Sequence, residues 1–137
     1  MAKDRDLAMY VAVYDNVALA EADLDAIDQL HKLDLVGMFD AAIVEKRNDK
    51  PHVVRRMDRP MVHVIPDVLN FGPLPRNELK KAAAELDVGQ ASLIVVGEPT
   101  LEKAFDKAVT HASKTFKQVF DATADELARE MKEAAGS

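Results

Sequence analysis

Two tyrosines on one predicted strand are the residues of this chain best suited to hold a ligand or a partner. They are Tyr10 and Tyr14, in the short apolar run 7–14 that ends at the turn residues Asp15 and Asn16. A short run with apolar residues on both sides predicts a buried strand. Because side chains alternate along a strand, both tyrosines share one face, opposite the aliphatic side chains. If the aliphatic face meets the helices, both tyrosines stand on an open face of the sheet.

An exposed tyrosine pair has more than one use. The two rings can stack on a planar ligand or on single-stranded bases, or pack against a second subunit or the segment 58–75. RNA-recognition sheets combine basic and aromatic residues and carry a Lys/Arg-Gly-Phe signature, which this chain lacks. Tyrosine is frequent at protein interfaces. We therefore favour an interface or packing role for Tyr10 and Tyr14 over ligand stacking.

Basic residues are concentrated in 46–59, whereas the first predicted helix is acidic. The basic residues there are Lys46, Arg47, Lys50, Arg55, Arg56 and Arg59. A basic hairpin beside an acidic helix can steer subunits together or attract an anionic partner. Arg55 and Arg56 have side chains that can hold a phosphate or a carboxylate. Charges on a hairpin also keep edge strands from pairing with other chains, and that is the commoner reason for them.

The four histidines give no metal-ligand pattern. They are His31, His52, His63 and His111, and no two have the spacing that places a pair of ligands on one helical face. His31 and His111 fall late in two predicted helices, where the helix dipole favours a cation. His63 lies in an apolar run and can face a pocket as a base or an axial haem ligand, although no partner for it is visible in the sequence. We predict no metal site, no cofactor and no catalytic residue.

The amino-acid composition restricts the classes of protein to which this chain can belong. The 137 residues are 48% hydrophobic and 31% charged, and they include no cysteine. This mix is typical of a folded globular protein, and disulfides, thiolate metal sites and cysteine nucleophiles are excluded. The net charge of -6 argues against binding to nucleic acid or an anionic membrane. The chain has neither a secretory signal nor a span of about 18–20 apolar residues, so we expect a cytoplasmic protein without a membrane anchor.

Hydrophobic periodicity and turn residues predict an alternation of strands and helices. Strands are predicted at 7–14, 38–45, 52–57, 61–65, 92–96 and 115–121, and helices at 17–33, 77–86, about 100–112 and 124–133. Gly89 is placed to supply a left-handed cap after the second helix. Thr123 and Glu126 have the spacing of a capping box at the start of the last helix.

A strand, an acidic turn and an amphipathic helix occur twice, in residues 11–26 and 93–108. Two strand–helix–strand units predict an α+β fold of the ferredoxin-like class, with helices on one face of a mainly antiparallel sheet. An extra hairpin strand and a C-terminal helix complete the prediction. We expect one domain over 1–137, with pseudo-repeat halves at about 6–57 and 90–134 joined by a proline-rich connection that holds a short helix.

The same pieces resemble a bacterial family of unknown function whose members are described as membrane proteins with a ferredoxin-like split head. The matching segments are 7–15, 24–35 with its Ala-Ile-Asp-Gln-Leu core, 40–44, 88–96 and 123–131. The family has a glycine-rich apolar middle, but this chain has a short proline-broken segment at about 58–75 instead. The resemblance implies the split head, carries over no membrane role, and supplies no catalytic residues.

Together these patterns lead us to expect a non-enzymatic, self-associating assembly or regulatory module, with a dimer as the first expectation. A sheet with helices on one side leaves an apolar face that a second copy can cover. The alternative is a small-ligand-binding protein or enzyme with a pocket between subunits on that face. In that alternative Tyr10, Tyr14 and His63 line the pocket, with Arg55 and Arg56 as anion clamps. Nucleic-acid binding by the basic hairpin ranks last.

Overall fold

The computed structural model describes residues 6–33, 37–47, 50–57, 64–67, 69, 74, 76–86 and 89–136. The strands are β1 (Asp6–Tyr14), β2 (Met38–Arg47), β3 (Lys50–Arg56), β4 (Ala91–Gly97) and β5 (Lys114–Asp121). The helices are α1 (Val17–Lys32), α2 (Asn77–Leu86), α3 (Glu102–Ala108) and α4 (Ala124–Gly136), and a 3₁₀ turn (Pro99–Leu101) precedes α3.

One antiparallel sheet contains all five strands, in the order β3-β2-β4-β1-β5. The prediction of an α+β protein with an antiparallel sheet is therefore confirmed, and strands from both halves of the chain contribute to it. All seven residues of β4 are buried. Two of the three interior strands, β4 and β1, are also the two least charged, because a strand covered on both faces along its length has no solvated side for charged residues.

The tyrosine face of the sheet is covered by α1 and α3. Tyr10 and Tyr14 pack in one cluster with Leu24 and Ile27 of α1 and Phe105 of α3. The spacing of the α1 residues places them on one side of the helix, as the sequence pattern predicts.

The opposite, aliphatic face is also covered. Leu7 and Met9 pack against Leu79 of α2 and against Leu127 and Met131 of α4. The expected open sheet face is therefore wrong, and Tyr10 and Tyr14 are each only 1% exposed. The physical reason is that α2 and α4 each have an apolar side, and together they form a second helical layer that buries the aliphatic face.

Part of the proline-rich connection belongs to this second layer. Val64, Ile65 and Leu69 are buried in the cluster on the aliphatic face. Of the short strand predicted at 61–65, residues 61–63 lie outside the described residues, and Val64 and Ile65 are not in a strand. These described residues of the segment cover the sheet on the face opposite the tyrosines.

Local signals explain where most helices begin and end. The side chain of Asn16 accepts a hydrogen bond from the backbone N–H of Leu19 at 3.0 Å and starts α1. The predicted capping box is confirmed: Thr123 Oγ1 accepts from Glu126 N at 3.1 Å, and Thr123 N donates to Glu126 Oε1 at 3.2 Å. Gly89 has a φ of +83°, and a Cβ there would lie 2.2 Å from Val13 Cγ1.

The helix α3 is shorter than predicted. It ends at Ala108, and Val109 is already extended with φ -88° and ψ 92°. The chain then returns to the sheet, where Ser113 N donates to Val13 O at 2.8 Å. His111 therefore lies in a loop, and its expected place near the end of a helix is corrected.

A buried carboxylate attaches the proline-rich segment to the sheet. Asp40 on β2 is 0% exposed, and its Oδ2 accepts from Val64 N at 3.1 Å, from Ile65 N at 2.9 Å and from a guanidinium nitrogen of Arg56. Arg56 also donates to Ile65 O at 2.5 Å. These bonds satisfy a charge that would be very unfavourable if buried alone.

We expect Asp40→Ala to lower the free energy of unfolding by about 3–5 kcal/mol, since it removes the buried acceptor shared by Arg56 and the backbone N–H groups of Val64 and Ile65. Urea unfolding followed by circular dichroism measures the change. Glu45→Ala is the matched control on the same strand: its pair with Arg47 is exposed, so the loss should stay below about 1 kcal/mol. Equal losses for the two variants would contradict the role given to Asp40.

Candidate functional site

A carboxylate, a phenol and an imidazole meet between α1, the end of β1 and the loop that follows α3. Asp23 Oδ2 accepts from Tyr14 Oη at 2.7 Å and from the backbone N–H of His111 at 3.0 Å. Asp23 Oδ1 lies 2.6 Å from His111 Nδ1. Asp23 is 1% exposed, whereas the side chain of His111 is 47% exposed. The site is therefore a buried anion that holds a half-exposed imidazole.

Each residue is held there by its own element. Tyr14 is the last residue of β1 and Asp23 lies on the buried side of α1. The loop that carries His111 is fixed at one end by Val109 N, which donates to Phe105 O at 2.8 Å, and at the other by the bond from Ser113 to β1. The geometry of the imidazole thus depends on three separate parts of the fold.

The electrostatics of the cluster favour an ionised Asp23. Burial acts to raise the pKa of the Asp23 carboxyl, but hydrogen bonds from His111 and Tyr14 outweigh burial and hold this pKa below its ordinary value. Burial and the neighbouring Asp23 carboxylate raise the pKa of the Tyr14 phenol well above its ordinary range. Tyr14 therefore stays protonated and acts as a hydrogen-bond donor.

This charge state assigns the tautomer of His111. An ionised carboxylate only accepts hydrogen bonds, so the proton of the Asp23–His111 bond sits on Nδ1. In the neutral ring the lone pair is then on Nε2, the nitrogen that Asp23 does not contact. A carboxylate that orients an imidazole in this way is a known arrangement for a general base or a nucleophile.

A second cluster surrounds Tyr10, nearer to β5. The Tyr10 ring stacks on Phe105 with centroids 4.9 Å apart, and its hydroxyl donates to Pro99 O at 3.0 Å. Lys117 Nζ lies 5.8 Å from the Tyr10 centroid and also pairs with Glu102. Burial, with Glu102 and then Asp106 adding to it, raises the pKa of Tyr10 to about 12.

A small pocket of about 210 Å³ opens beside this cluster. Its lining residues are Tyr10, Glu102, Phe105, Asp106, Thr115, Phe116 and Lys117. Three of these residues, Tyr10, Phe105 and Phe116, give the pocket an aromatic wall. Two carboxylates and one ammonium give it a negative net charge.

The structure does not join the predicted site residues into one site. Tyr10 and Tyr14 share a face and one hydrophobic cluster, but their hydroxyls have separate partners, Pro99 O for Tyr10 and Asp23 for Tyr14. Arg55 pairs with Asp25 and lies 3.8 Å from Glu21, both on α1, so the basic hairpin and the acidic helix do meet. Both arginines hold carboxylates of this chain, Arg55 on α1 and Arg56 at Asp40. His63 lies outside the described residues.

Sequence reasoning missed both Asp23 and the role of His111. A signal for Asp23 exists: it lies between Ala20 and Leu24 on the apolar side of α1, and a carboxylate buried at such a position requires hydrogen-bond donors. Nothing in the sequence indicates that the donor is 88 residues away.

Neither a metal-ligand group nor a membrane-spanning helix is found in the part of the chain that the structure describes. These residues contain no group of three or more histidine, aspartate or glutamate side chains arranged for a metal ion. Their helices include none that is both long enough and apolar enough to cross a membrane. Comparison with protein-family models, curated proteins and solved structures gives no match for this chain.

We expect Asp23 to make folding sensitive to acid. Because its pKa is lower in the folded than in the unfolded state, its stabilisation is fully present above the ordinary carboxyl pKa of about 4 and is lost as pH falls through the folded value. Urea unfolding between pH 6 and pH 2, values chosen to lie on either side of about 4, should show a smaller loss for Asp23→Asn than for the wild type. Asp25→Asn, an exposed change on the same helix, should keep the wild-type loss. An unchanged acid profile in Asp23→Asn would count against the assignment.

Proposed function

We propose that this chain is a non-enzymatic, self-associating module of ferredoxin-like architecture, in which two copies pair through the edge strand β5. The strand order supports the architecture, since β4 lies between β1 and β2, and β1 lies between β4 and β5. Two interlocked strand–helix–strand units produce that order in a ferredoxin-like sheet. In this interpretation β3 is the extra hairpin strand and α4 the C-terminal addition. Kinship with the bacterial family remains a prediction.

The observation that carries the proposal is a difference between the two edges of the sheet. At the β3 edge, Val53 N donates to Asp67 O at 2.8 Å and Leu69 N donates to Pro51 O at 3.0 Å, so the chain closes this edge itself. At the β5 edge, no strand among the described residues pairs on the outer side. An edge strand without a neighbour is a template for a strand of another molecule.

The backbone of β5 also presents groups outward. Val119 O accepts from the side chain of Gln118 at 3.3 Å, and Asp121 O accepts from Arg76 at 3.4 Å. Carbonyl groups of an edge strand alternate between the neighbouring strand and the outside. Since these two accept long bonds from side chains, we infer that they face away from β1. A second strand can replace such bonds with a regular ladder.

An exposed apolar side chain lies on this edge strand, two residues before its end. Val119 is 45% exposed, and among the described residues it is one of two large hydrophobic side chains with that degree of exposure, the other being Leu33. A two-fold axis through Val119 lets the side chain contact its equivalent in the second copy. That contact removes apolar surface of both copies from water.

Charge selects the register. Residues opposite each other in paired strands share a face. Pairing about Val119 therefore places Lys117 of each copy opposite Asp121 of the other copy. Pairing about Lys117 would place two ammonium groups opposite each other, which is unfavourable. Lys117 already pairs with Glu102 in its own chain, but both side chains of that pair are partly exposed and the interaction is weak.

An edge contact differs from the sheet-face contact expected from sequence. It needs no open face and leaves both buried layers intact. It is also small, and small interfaces are typical of transient contacts rather than permanent dimers. Association of this kind depends on concentration, which suits an assembly or regulatory role.

We expect Val119→Cys to form a disulfide-linked dimer on oxidation, because residues opposite each other in a hydrogen-bonded pair have Cα atoms about 5.5 Å apart. The chain has no other cysteine, so a non-reducing gel and intact mass measure the cross-link directly. Thr115→Cys is the matched control, exposed on the same face of β5 but not opposite its own equivalent, and it should cross-link far less.

Two results would contradict the proposed interface. One is efficient cross-linking at position 115 with none at 119. The other is a wild-type protein that sediments as a monomer at tens of micromolar. If the wild type is dimeric, Val119→Lys should weaken the dimer at least about tenfold by placing two charges on the axis, whereas Val119→Thr should not.

A second candidate function is a small-ligand site in the pocket beside Tyr10, which corresponds to the alternative of a pocket near a subunit boundary. The observation that favours it is the position of Thr115 and Lys117, which line the pocket and belong to β5. A second copy at that edge would border the pocket. Its aromatic wall and two carboxylates favour a small organic cation.

We expect choline, as a probe, to shift the amide NMR signals of Phe105 and Thr115 at millimolar concentration. Asp106→Asn removes one carboxylate of the pocket and should weaken binding by about threefold to tenfold. Asp25→Asn removes the same charge from a distant surface and should leave the titration unchanged. Equal effects of the two variants would mean that only net charge attracts the probe.

A further inference from the structure

We propose that His111 is a phosphoryl acceptor and that its Nε2 atom takes the group from a small anionic phosphodonor. This proposal is independent of self-association through β5, which uses other residues. It rests on the buried Asp23, which contacts His111 through both the ring Nδ1 and the backbone N–H. It also rests on the composition of the exposed loop around the ring.

The first requirement of a phosphoryl acceptor is a nucleophile with a defined orientation. Asp23 holds Nδ1 at 2.6 Å and the ring is half exposed, so Nε2 is the nitrogen left to react. Attack by Nε2 creates positive charge on the ring. The Asp23 carboxylate is already in place to stabilise that charge, and Tyr14 holds the carboxylate from the other side at 2.7 Å.

The second requirement is an environment that accepts an anion. The loop itself, 109–113, carries no aspartate or glutamate, and Lys107 of α3 and Lys114 of β5 lie close to its two ends in the chain. Thr110, Ser113 and Lys114 are all exposed. Lys114 also pairs with Glu85 at 3.0 Å, and the Thr110 hydroxyl lies 3.2 Å from His111 Nδ1. Hydroxyl and ammonium groups are donors suited to phosphate oxygens. These groups favour a phosphoryl donor over a neutral acyl donor, for which flanking lysines offer no advantage.

The transfer can be written as a balanced step with phosphoramidate, whose nitrogen carries three hydrogens. The Nε2 lone pair of neutral His111 forms the new N–P bond while the P–N bond of phosphoramidate breaks, and ammonia leaves. The Nδ1 proton stays in its bond to Asp23, so the ring ends as an imidazolium carrying the phosphoryl group. No oxidation or reduction occurs. Beyond the attacking nitrogen, the protein contributes the position of the ring and the stabilisation of its charge.

A purely structural function for the same contacts predicts something different. Asp23 also accepts the backbone N–H of His111 and so fixes the loop to α1 and β1. If loop fixation were its whole function, the ring would react no faster than any other accessible imidazole. The rate and the position of phosphorylation therefore separate the two interpretations.

The test is incubation of the full-length protein with potassium phosphoramidate, followed by peptide mass spectrometry that localises the added phosphoryl group over time. We expect labelling at His111 to be at least about tenfold faster than at His52 of the same protein and than in free N-acetylhistidine. Phosphohistidine isomers are distinguished by NMR, and we expect the Nε2 isomer.

Asp23→Asn should slow the labelling of His111 by about tenfold or more, because a neutral amide does not stabilise the ring cation and does not enforce the tautomer. Asp25→Asn is the matched control: it removes the same charge from the exposed side of α1 and should leave the rate unchanged. Circular dichroism checks that both variants fold. If Asp23→Asn does not fold, the proposal is tested by the phosphohistidine isomer that forms on the wild-type protein.

Three results would overturn the proposal. They are labelling of His111 no faster than that of His52, a phosphoryl group on Nδ1, and reaction of a folded Asp23→Asn variant at the wild-type rate. Labelling at His111 that is selective, at Nε2 and dependent on Asp23 supports it.

Discussion

The central strands β1 and β4 must be covered on both faces, and the rest of the structure depends on this requirement. Residues 7–14 of β1 are all buried, as is every residue of β4. Strands that are apolar on both sides are stable only between two layers, because either face left in water would expose a continuous hydrophobic surface. The chain therefore supplies α1 and α3 for one face. For the other it supplies α2, α4 and the segment around Ile65.

Two of the buried aspartates, Asp40 and Asp23, each hold a loop against this apolar framework. Asp40 accepts two backbone N–H groups of the proline-rich segment together with Arg56. Asp23 accepts a backbone N–H and the ring of His111 together with Tyr14. A buried charge must collect donors to offset its lost hydration, so each loop has one favourable geometry. The partners differ in exposure: Arg56 is largely enclosed, whereas the His111 ring reaches solvent.

The groups that can act on other molecules gather on the α3–β5 side of the sheet. The pocket beside Tyr10, the loop of His111 and the exposed Val119 all belong to α3, to β5 or to the connection between them. The other edge is closed by the chain itself through the backbone bonds of Asp67 and Leu69. A sheet with one closed and one open edge directs contacts to the open side, which is where both candidate functions and the acceptor histidine lie.

The sequence by itself determined most of the secondary structure, because periodicity and capping act over a few residues. It predicted β1 and β4 from their apolar runs, α1, α2 and α4 from helical spacing, and the start of α4 from Thr123 and Glu126. Only the tertiary structure decided which helices cover which face, and so that the tyrosines are buried rather than exposed. It also decided that Asp23 meets His111, since the buried side of one helix and a loop far along the chain become neighbours only when the sheet is covered. Such contacts depend on the packing of whole layers, which no local pattern encodes.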